Sequence, residues 1–131
     1  MSRVLDGLGK TEKKVVRDRS VYTNSRHVVV KLLKNGVVKV VRSPLPQGRF
    51  SLKYKGKDVA TIDVTFIRTV THPDDLKPHI DDAPYRSVEK WFRDSLRRKR
   101  SSMPMCLYEF RLVKYFPKRL DEAGISMEEL V

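Results

Sequence analysis

Residues 64–110 constrain the fold of this chain more than any other segment. Apolar and polar residues alternate over residues 64–70, and a second strand-like run covers residues 105–116. Between these runs lie an acidic loop at residues 72–82 and a serine-capped amphipathic helix at residues 87–100. A chain that passes from strand to helix and back over so short a distance packs its helices against a sheet, so the sequence predicts a small mixed domain.

The other predicted elements are short. They are, in chain order, a helix over residues 25–35, a strand over 37–42, two strands over 49–54 and 57–70 that meet in a Lys55–Gly56 turn, and a helical turn that begins at Ser126. Ser25 is a suitable N-cap for the first helix and Gly36 a suitable stop, although three consecutive valines also permit a strand there. This order predicts an α+β fold with a small, mostly antiparallel β-barrel and flanking short helices, since a closed barrel leaves no exposed edges.

The charge of the chain is strongly positive and is distributed in blocks. The 131 residues include 28 Lys and Arg against 16 Asp and Glu, a formal net charge of +12. Residues 1–57 carry 15 basic and 3 acidic side chains, residues 58–85 carry 2 and 6, and residues 86–119 carry 11 and 3. Two basic blocks separated by an acidic one predict a directional cationic surface. Its expected partner is nucleic acid, with RNA favoured over DNA, rather than a membrane.

Cysteine content and hydropathy predict an intracellular setting. Cys106 is the only cysteine, which excludes an intrachain disulfide or a thiolate metal cluster and fits a reducing, cytoplasmic environment. No apolar run approaches the roughly 20 residues of a membrane span, and the N-terminus lacks a signal-peptide core. A low content of Asn and Gln among many charged residues is also typical of thermophilic proteins. The sequence leaves the oligomeric state open.

The predicted domain organisation follows the charge pattern and the elements. Residues 1–24 are predicted as a basic N-terminal arm, residues 25–119 as the folded domain and residues 120–131 as an acidic C-terminal turn. Basic arms often become ordered only on nucleic acid, and the alternative is a solvated tail.

Three stretches of the chain resemble, in the same order, segments of ASCH domains, a family of the PUA-like superfamily. They are NGVVKVVRSPLPQGRFSLKYKGKDVATIDV (residues 35–64), RTVTHPDDLKPHIDDAPYRSVEKWFRDSL (residues 68–96) and MCLYEFRLV (residues 105–113). The similarity covers roughly residues 25–116, and the ordered series carries it rather than any single motif. The resemblance implies a small PUA-like β-barrel with flanking helices and a cleft suited to RNA or a nucleotide.

The same resemblance implies candidate catalytic residues. Some members of the family are amidohydrolases that deacetylate N-acetylated cytidine, with a lysine after the glycine, a threonine further on and a glutamate at the helix start. Glu89 matches that glutamate by position, and Arg42 matches an arginine of the family. Lys39 stands one residue beyond the expected lysine position, which Val38 occupies, and no threonine follows it before Arg42. Lys39 and Glu89 are the catalytic candidates, and the departure favours a binding protein over an enzyme.

Candidate phosphate contacts lie on the predicted helix and at the predicted hairpin. Helical spacing places the arginines at 93, 97 and 100 on one face, with Asp94 expected to point away from it. The complete predicted set of nucleic-acid contacts is Arg42, Lys53, Lys55, Lys90, Arg93, Arg97 and Arg100. Guanidinium groups fork onto phosphate oxygens, whereas the alternative is a solvated surface with lysines that protect a strand edge.

Two aromatic residues next to this helix allow two interpretations. Trp91 and Phe92 diverge on a helix, so one of them is expected in the core. An exposed Trp91 or Tyr85 would instead stack on a base.

The sequence predicts no metal site and no cofactor. His72 and His79 lie in the acidic loop beside several aspartates, but their spacing gives no recognisable ligand pattern. A phosphate-binding glycine loop and a serine-nucleophile elbow are both absent from the sequence.

The leading functional hypothesis is therefore an RNA- or modified-nucleotide-binding domain that does not turn its ligand over. One alternative is a nucleoside amidohydrolase of the ASCH type, which requires Lys39 and Glu89 to meet in one pocket. Another is a DNA-binding regulatory module with the arginine-rich helix in a major groove.

Overall fold

The structure is a computed structural model that describes residues 19–100 and 102–130. Most of the predicted arm lies outside the described residues. The elements are β1 (Ser20–Thr23), α1 (Arg26–Asn35), β2 (Val37–Arg42), β3 (Gly48–Tyr54), β4 (Lys57–Val70), 3₁₀ turns at Pro73–Asp75 and Lys77–Asp82, α2 (Val88–Arg98), β5 (Met105–Tyr115), α3 (Pro117–Glu122) and a 3₁₀ turn at Met127–Leu130.

The strands form one curled sheet of five strands in the order β1-β3-β4-β5-β2. β1 runs parallel to β3, and the other three pairings are antiparallel, which confirms a mostly antiparallel α+β fold. The barrel was predicted to be closed, but among the described strands β1 and β2 remain at opposite edges and do not pair. α1 connects these edges, and its buried side chains Val28, Val29 and Leu32 fill the space inside the curve. The sheet is therefore a half-barrel lined by a helix.

Local sequence signals determine α1 and the β3–β4 hairpin as predicted. The Ser25 hydroxyl accepts a hydrogen bond from the Val28 N–H at 3.3 Å, which caps the first turn of α1. Gly36 adopts a left-handed conformation with φ of 78° and ends the helix, so the valines lie in a helix and not in a strand. At the hairpin, Lys55 and Gly56 have φ values of 53° and 79°, the backbone of a tight primed turn.

The main core includes residues from both segments that were predicted to flank the folded domain. Val21 of β1 is buried in this core, so the sheet begins inside the range predicted as an arm. Leu120, Ala123 and Ile125 are also buried in it, so the predicted acidic C-terminal turn is an integral part of the fold. The reason is that acidic residues of this segment face solvent while its apolar residues cover the open side of the half-barrel.

A second, smaller core packs α2 and the acidic loop against one end of the sheet. Its buried members are Val41, Val70, Leu76, Ala83, Trp91, Met105 and Leu107. A β-bulge makes this core possible. In β4, Phe66 pairs with Tyr108 of β5 and Arg68 pairs with Leu107, so Ile67 between them is an extra residue. Strict alternation predicts that Val70 shares a face with Val64 of the main core. After the bulge, Val70 lies in the second core instead.

Helix α2 is shorter than predicted, and it buries Trp91 and Ser95. It ends at Arg98, because Lys99 is extended (φ −65°, ψ 135°) and turn-favouring residues follow, so Arg100 lies beyond the helix. Trp91 and Ser95 are its buried residues, and the Ser95 hydroxyl donates to the Trp91 carbonyl at 2.7 Å. Leu96 of the same helix is 51% exposed.

Trp91 should therefore hold α2 on the sheet. We expect Trp91→Ala to lower the free energy of unfolding by about 3–5 kcal/mol, because the indole is fully buried and leaves a cavity. Leu96→Ala on the same helix is the matched control and should cost less than about 1 kcal/mol. Urea unfolding followed by circular dichroism measures both. Equal losses for the two variants would contradict this packing.

Candidate nucleic-acid interface

A cleft of about 1050 Å³ is the candidate binding site. Five segments line it: residues 22–28 where β1 leads into α1, residues 40–45 at the end of β2, residues 84–85 before α2, one side of α2 with the residues that follow it, and residues 102–105 before β5. The cleft therefore lies where the second core meets the gap between the two sheet edges.

Arg42 and Arg98 bring two positive charges together in this cleft. Arg42 is the last residue of β2 and is half-buried, whereas Arg98 is exposed at the last position of α2. Burial lowers the pKa of Arg42, and the neighbouring Arg98 charge lowers it further. Among the described residues, no carboxylate lies within ion-pair distance of either guanidinium. The cleft thus holds two like charges without internal compensation.

Arg42 is among the predicted contacts, whereas Arg98 is not. Arg98 follows Trp91 by seven residues and Ser95 by three, so it continues the buried face of α2 to the helix end. The predicted cationic face instead consisted of the exposed residues Arg93, Arg97 and Arg100. The spacing from the core tryptophan is the signal that identifies Arg98.

Asp94 neutralises part of the predicted cationic helix face. Its carboxylate lies 3.3 Å from Lys90 and 3.4 Å from Arg97. The prediction that Asp94 points away from the basic face is wrong. Lys90 stands four residues before it and Arg97 three residues after it, and this spacing places all three on one side of the helix. Lys90 lines the cleft as part of this network, whereas Arg93 and Arg97 lie outside the cleft lining. Arg100 lines the cleft from beyond the helix.

Two tyrosines line the same cleft. The Tyr85 ring stacks on Trp91 with centroids 6.4 Å apart and an angle of 25° between the rings. This contact fixes the orientation of the Tyr85 ring. Tyr22 is 62% exposed and lies on the opposite side, at the end of β1. Aromatic faces beside guanidinium groups are the usual means of holding an unstacked base.

A buried tyrosine fixes the loop that follows Arg42. The Leu45 N–H donates to the Tyr108 hydroxyl at 2.6 Å, and that hydroxyl donates to the Leu45 carbonyl at 3.0 Å. Burial raises the pKa of Tyr108, so it remains a neutral donor. The cleft wall after β2 is therefore preorganised.

The hairpin lysines lie outside the cleft lining. Lys53 pairs with Asp58 at 2.8 Å, and this hydrogen bond raises the pKa of Lys53. The Lys55 ammonium lies 5.4 Å from the centre of the Tyr54 ring at the exposed turn. Lys53 and Lys55 remain predicted phosphate contacts, but a ligand would have to compete with Asp58 for the first of them.

The structure gives Lys39 and Glu89 different partners. The Lys39 ammonium lies 3.0 Å from Nδ1 of His79 and 3.3 Å from Asp82, and its side chain is only 15% exposed. Glu89 is exposed and accepts a hydrogen bond from the Ser87 hydroxyl at 3.2 Å. Within the described residues these two side chains form no ion pair, and neither lines the cleft. The geometry thus ties Lys39 to the acidic loop.

Comparison with protein-family models, with curated proteins and with solved structures gave no match. In the part of the chain that the structure describes, no three His, Cys, Asp or Glu side chains are placed to hold a metal ion. None of the helices described there is both long enough and apolar enough to span a bilayer.

The contact between Lys39 and His79 predicts a pH-dependent stability. Burial lowers the pKa of His79, and the Lys39 and Arg68 charges lower it further against the opposing effect of Asp82. As pH falls, the unfolded chain therefore takes up a proton at His79 before the folded chain does. The contribution of neutral His79 to the free energy of unfolding is complete above pH 6.5 and is lost as pH falls below that value. We expect the wild type to lose a few tenths of a kcal/mol more than His79→Gln between about pH 7.5 and about pH 5.5.

The measurement is urea unfolding of both proteins at the two pH values. Glutamine keeps an acceptor for Lys39 but does not titrate, and the rest of the chain is the same in both proteins. An identical pH dependence of the two proteins would contradict the assignment.

Proposed function

We propose that this chain is an RNA- or modified-nucleotide-binding domain that does not turn its ligand over. The observation that carries the proposal is the Arg42–Arg98 pair, which lies in a cleft beside Tyr22 and Tyr85 without a neutralising carboxylate among the described residues. An uncompensated cationic pair costs free energy in the free protein, and an anionic ligand removes that cost on binding.

Three features of the chain support nucleic acid as the ligand. The net charge of +12 attracts a polyanion and makes its binding dependent on salt. The cleft is large enough for a nucleotide, and its tyrosines offer faces for a base. The ordered resemblance to ASCH domains points to the same ligand class, and we propose that the half-barrel is of the PUA-like type.

Single-stranded RNA suits this cleft better than duplex DNA. A half-buried guanidinium such as that of Arg42 is reached by a nucleotide that has left its stack, and single strands provide one without the cost of unpairing. The alternative of α2 in a major groove is less favoured, because Asp94 already binds Lys90 and Arg97 on that helix. The amidohydrolase alternative is less favoured because Lys39 is tied to His79 and Asp82 outside the cleft.

Charge-removal variants distinguish the cleft from the predicted helix face. We expect Arg42→Gln and Arg98→Gln each to weaken binding of a labelled single-stranded RNA roughly tenfold at about 0.15 M salt. Arg93→Gln removes the same charge from the same helix, outside the cleft, and should weaken binding less than about threefold. Fluorescence anisotropy across several salt concentrations, with duplex RNA and duplex DNA in parallel, measures these differences.

Thermal unfolding of each variant serves as the folding control. A loss for Arg93→Gln equal to that for Arg42→Gln would place binding on the helix face and contradict the proposed cleft. Absence of RNA binding by the wild type at about 0.15 M salt would contradict the function itself.

A further inference from the structure

The charge of the cleft exceeds what one internal phosphate of an RNA strand neutralises. Arg42 and Arg98 oppose each other, and Arg100 lines the same cleft, also without a carboxylate in ion-pair distance among the described residues. Asp94 is the one carboxylate in the described lining, and Lys90 and Arg97 already share it. An internal phosphodiester brings a single negative charge to this place, which leaves positive charge uncompensated at a half-buried position.

A terminal phosphomonoester matches this charge better. It carries about −1.5 to −2 charges at neutral pH and three equivalent acceptor oxygens, so two forked guanidinium groups can bind it at once. An internal phosphate has only two free oxygens and is flanked by sugar on both sides. Arg42 is the last residue of β2 and lies at the cleft wall that the Leu45–Tyr108 contact holds in place.

We propose that Arg42 and Arg98 form a receptor for the terminal phosphomonoester of a nucleotide or RNA strand, with Tyr85 as the platform for the adjoining base. This inference rests on the proposed nucleotide-binding function and specifies which ligand the cleft selects. The Tyr85 ring is backed by Trp91, so its orientation is fixed before a ligand arrives.

The test compares RNA strands of one sequence that differ only at their ends. The strands carry a 5′-phosphate, a 3′-phosphate, hydroxyls at both ends, or a 5′-phosphate methyl ester, which has one free oxygen and one charge less than the 5′-phosphate. We expect one of the phosphomonoester strands to bind the wild type roughly tenfold more tightly than the hydroxyl strand. The methyl ester should lose most of this gain, because the second charge and the third free oxygen are missing. The 5′ and 3′ arms identify which end the cleft receives.

Variants connect this preference to the two arginines. In Arg42→Gln the preference for the phosphomonoester over the hydroxyl strand should shrink to about twofold or less, and Arg98→Gln should act in the same direction. Arg98 is exposed on a helix surface, so its replacement keeps the fold even if Arg42→Gln does not. A nucleoside monophosphate, compared with its nucleoside by calorimetry, tests whether one nucleotide suffices.

Equal binding of all four strands, with both variants weakening all of them alike, would overturn the terminal-phosphate receptor and leave the RNA-binding function intact. An undiminished preference in both variants would also overturn it, because the selecting group would then lie elsewhere. Absence of binding for every strand would overturn the proposed function together with the inference.

Discussion

Burial of Trp91 is the contact on which the cleft depends. The indole lies in the second core, between the ends of the sheet and the acidic loop, and it fixes the rotation of α2 about its own axis. That rotation sends Ser95 inward and carries Arg98, one turn further, to the cleft beside Arg42. The same indole supports the Tyr85 ring on the cleft wall. One packing contact therefore positions both the cationic and the aromatic parts of the candidate site.

The β-bulge in β4 is a precondition for this arrangement. Because Ile67 is an extra residue relative to β5, the side chains beyond it change faces, and Val70 reaches the second core with Leu107. Without that change of face, β4 would contribute Thr69 instead of Val70 to the surface that Val41, Met105 and Leu107 share. The two cores of this small domain thus have different tasks. The main core closes the half-barrel over α1, and the second core supports the binding surface.

Much of the fold could be predicted from local signals in the sequence. The Ser25 and Ser87 caps, the left-handed Gly36 and the Lys55–Gly56 turn are local, since each depends on the conformation of a few consecutive residues. They fixed α1, α2 and the hairpin close to their observed ends. β1 was missed because it is short and pairs in parallel with β3, a contact between distant residues that no local pattern shows. The open half-barrel was also missed, because the pairing of strands at its edges depends on contacts between distant residues.

The candidate site was less predictable than the fold. Charge composition predicted the class of partner, and Arg42 was singled out by the resemblance to a family. The role of Asp94 was misjudged, because its pairing with Lys90 and Arg97 depends on side-chain orientation as well as helical position. The Lys39–His79 contact joins residues that are 40 positions apart, so no spacing rule reveals it. Convergence of charges in three dimensions, rather than their density along the chain, is what distinguishes Arg42 and Arg98.

The central claim is that an anionic ligand sits between Arg42 and Arg98. The most direct test is NMR of the arginine side-chain Nε–H signals during titration with phosphorylated single-stranded RNA, with assignments from the single variants. The account predicts that the Arg42 and Arg98 signals shift together and saturate with the ligand, while the Arg93 signal moves little. Large shifts at Arg93 and Arg97 with unchanged Arg42 and Arg98 signals would contradict it.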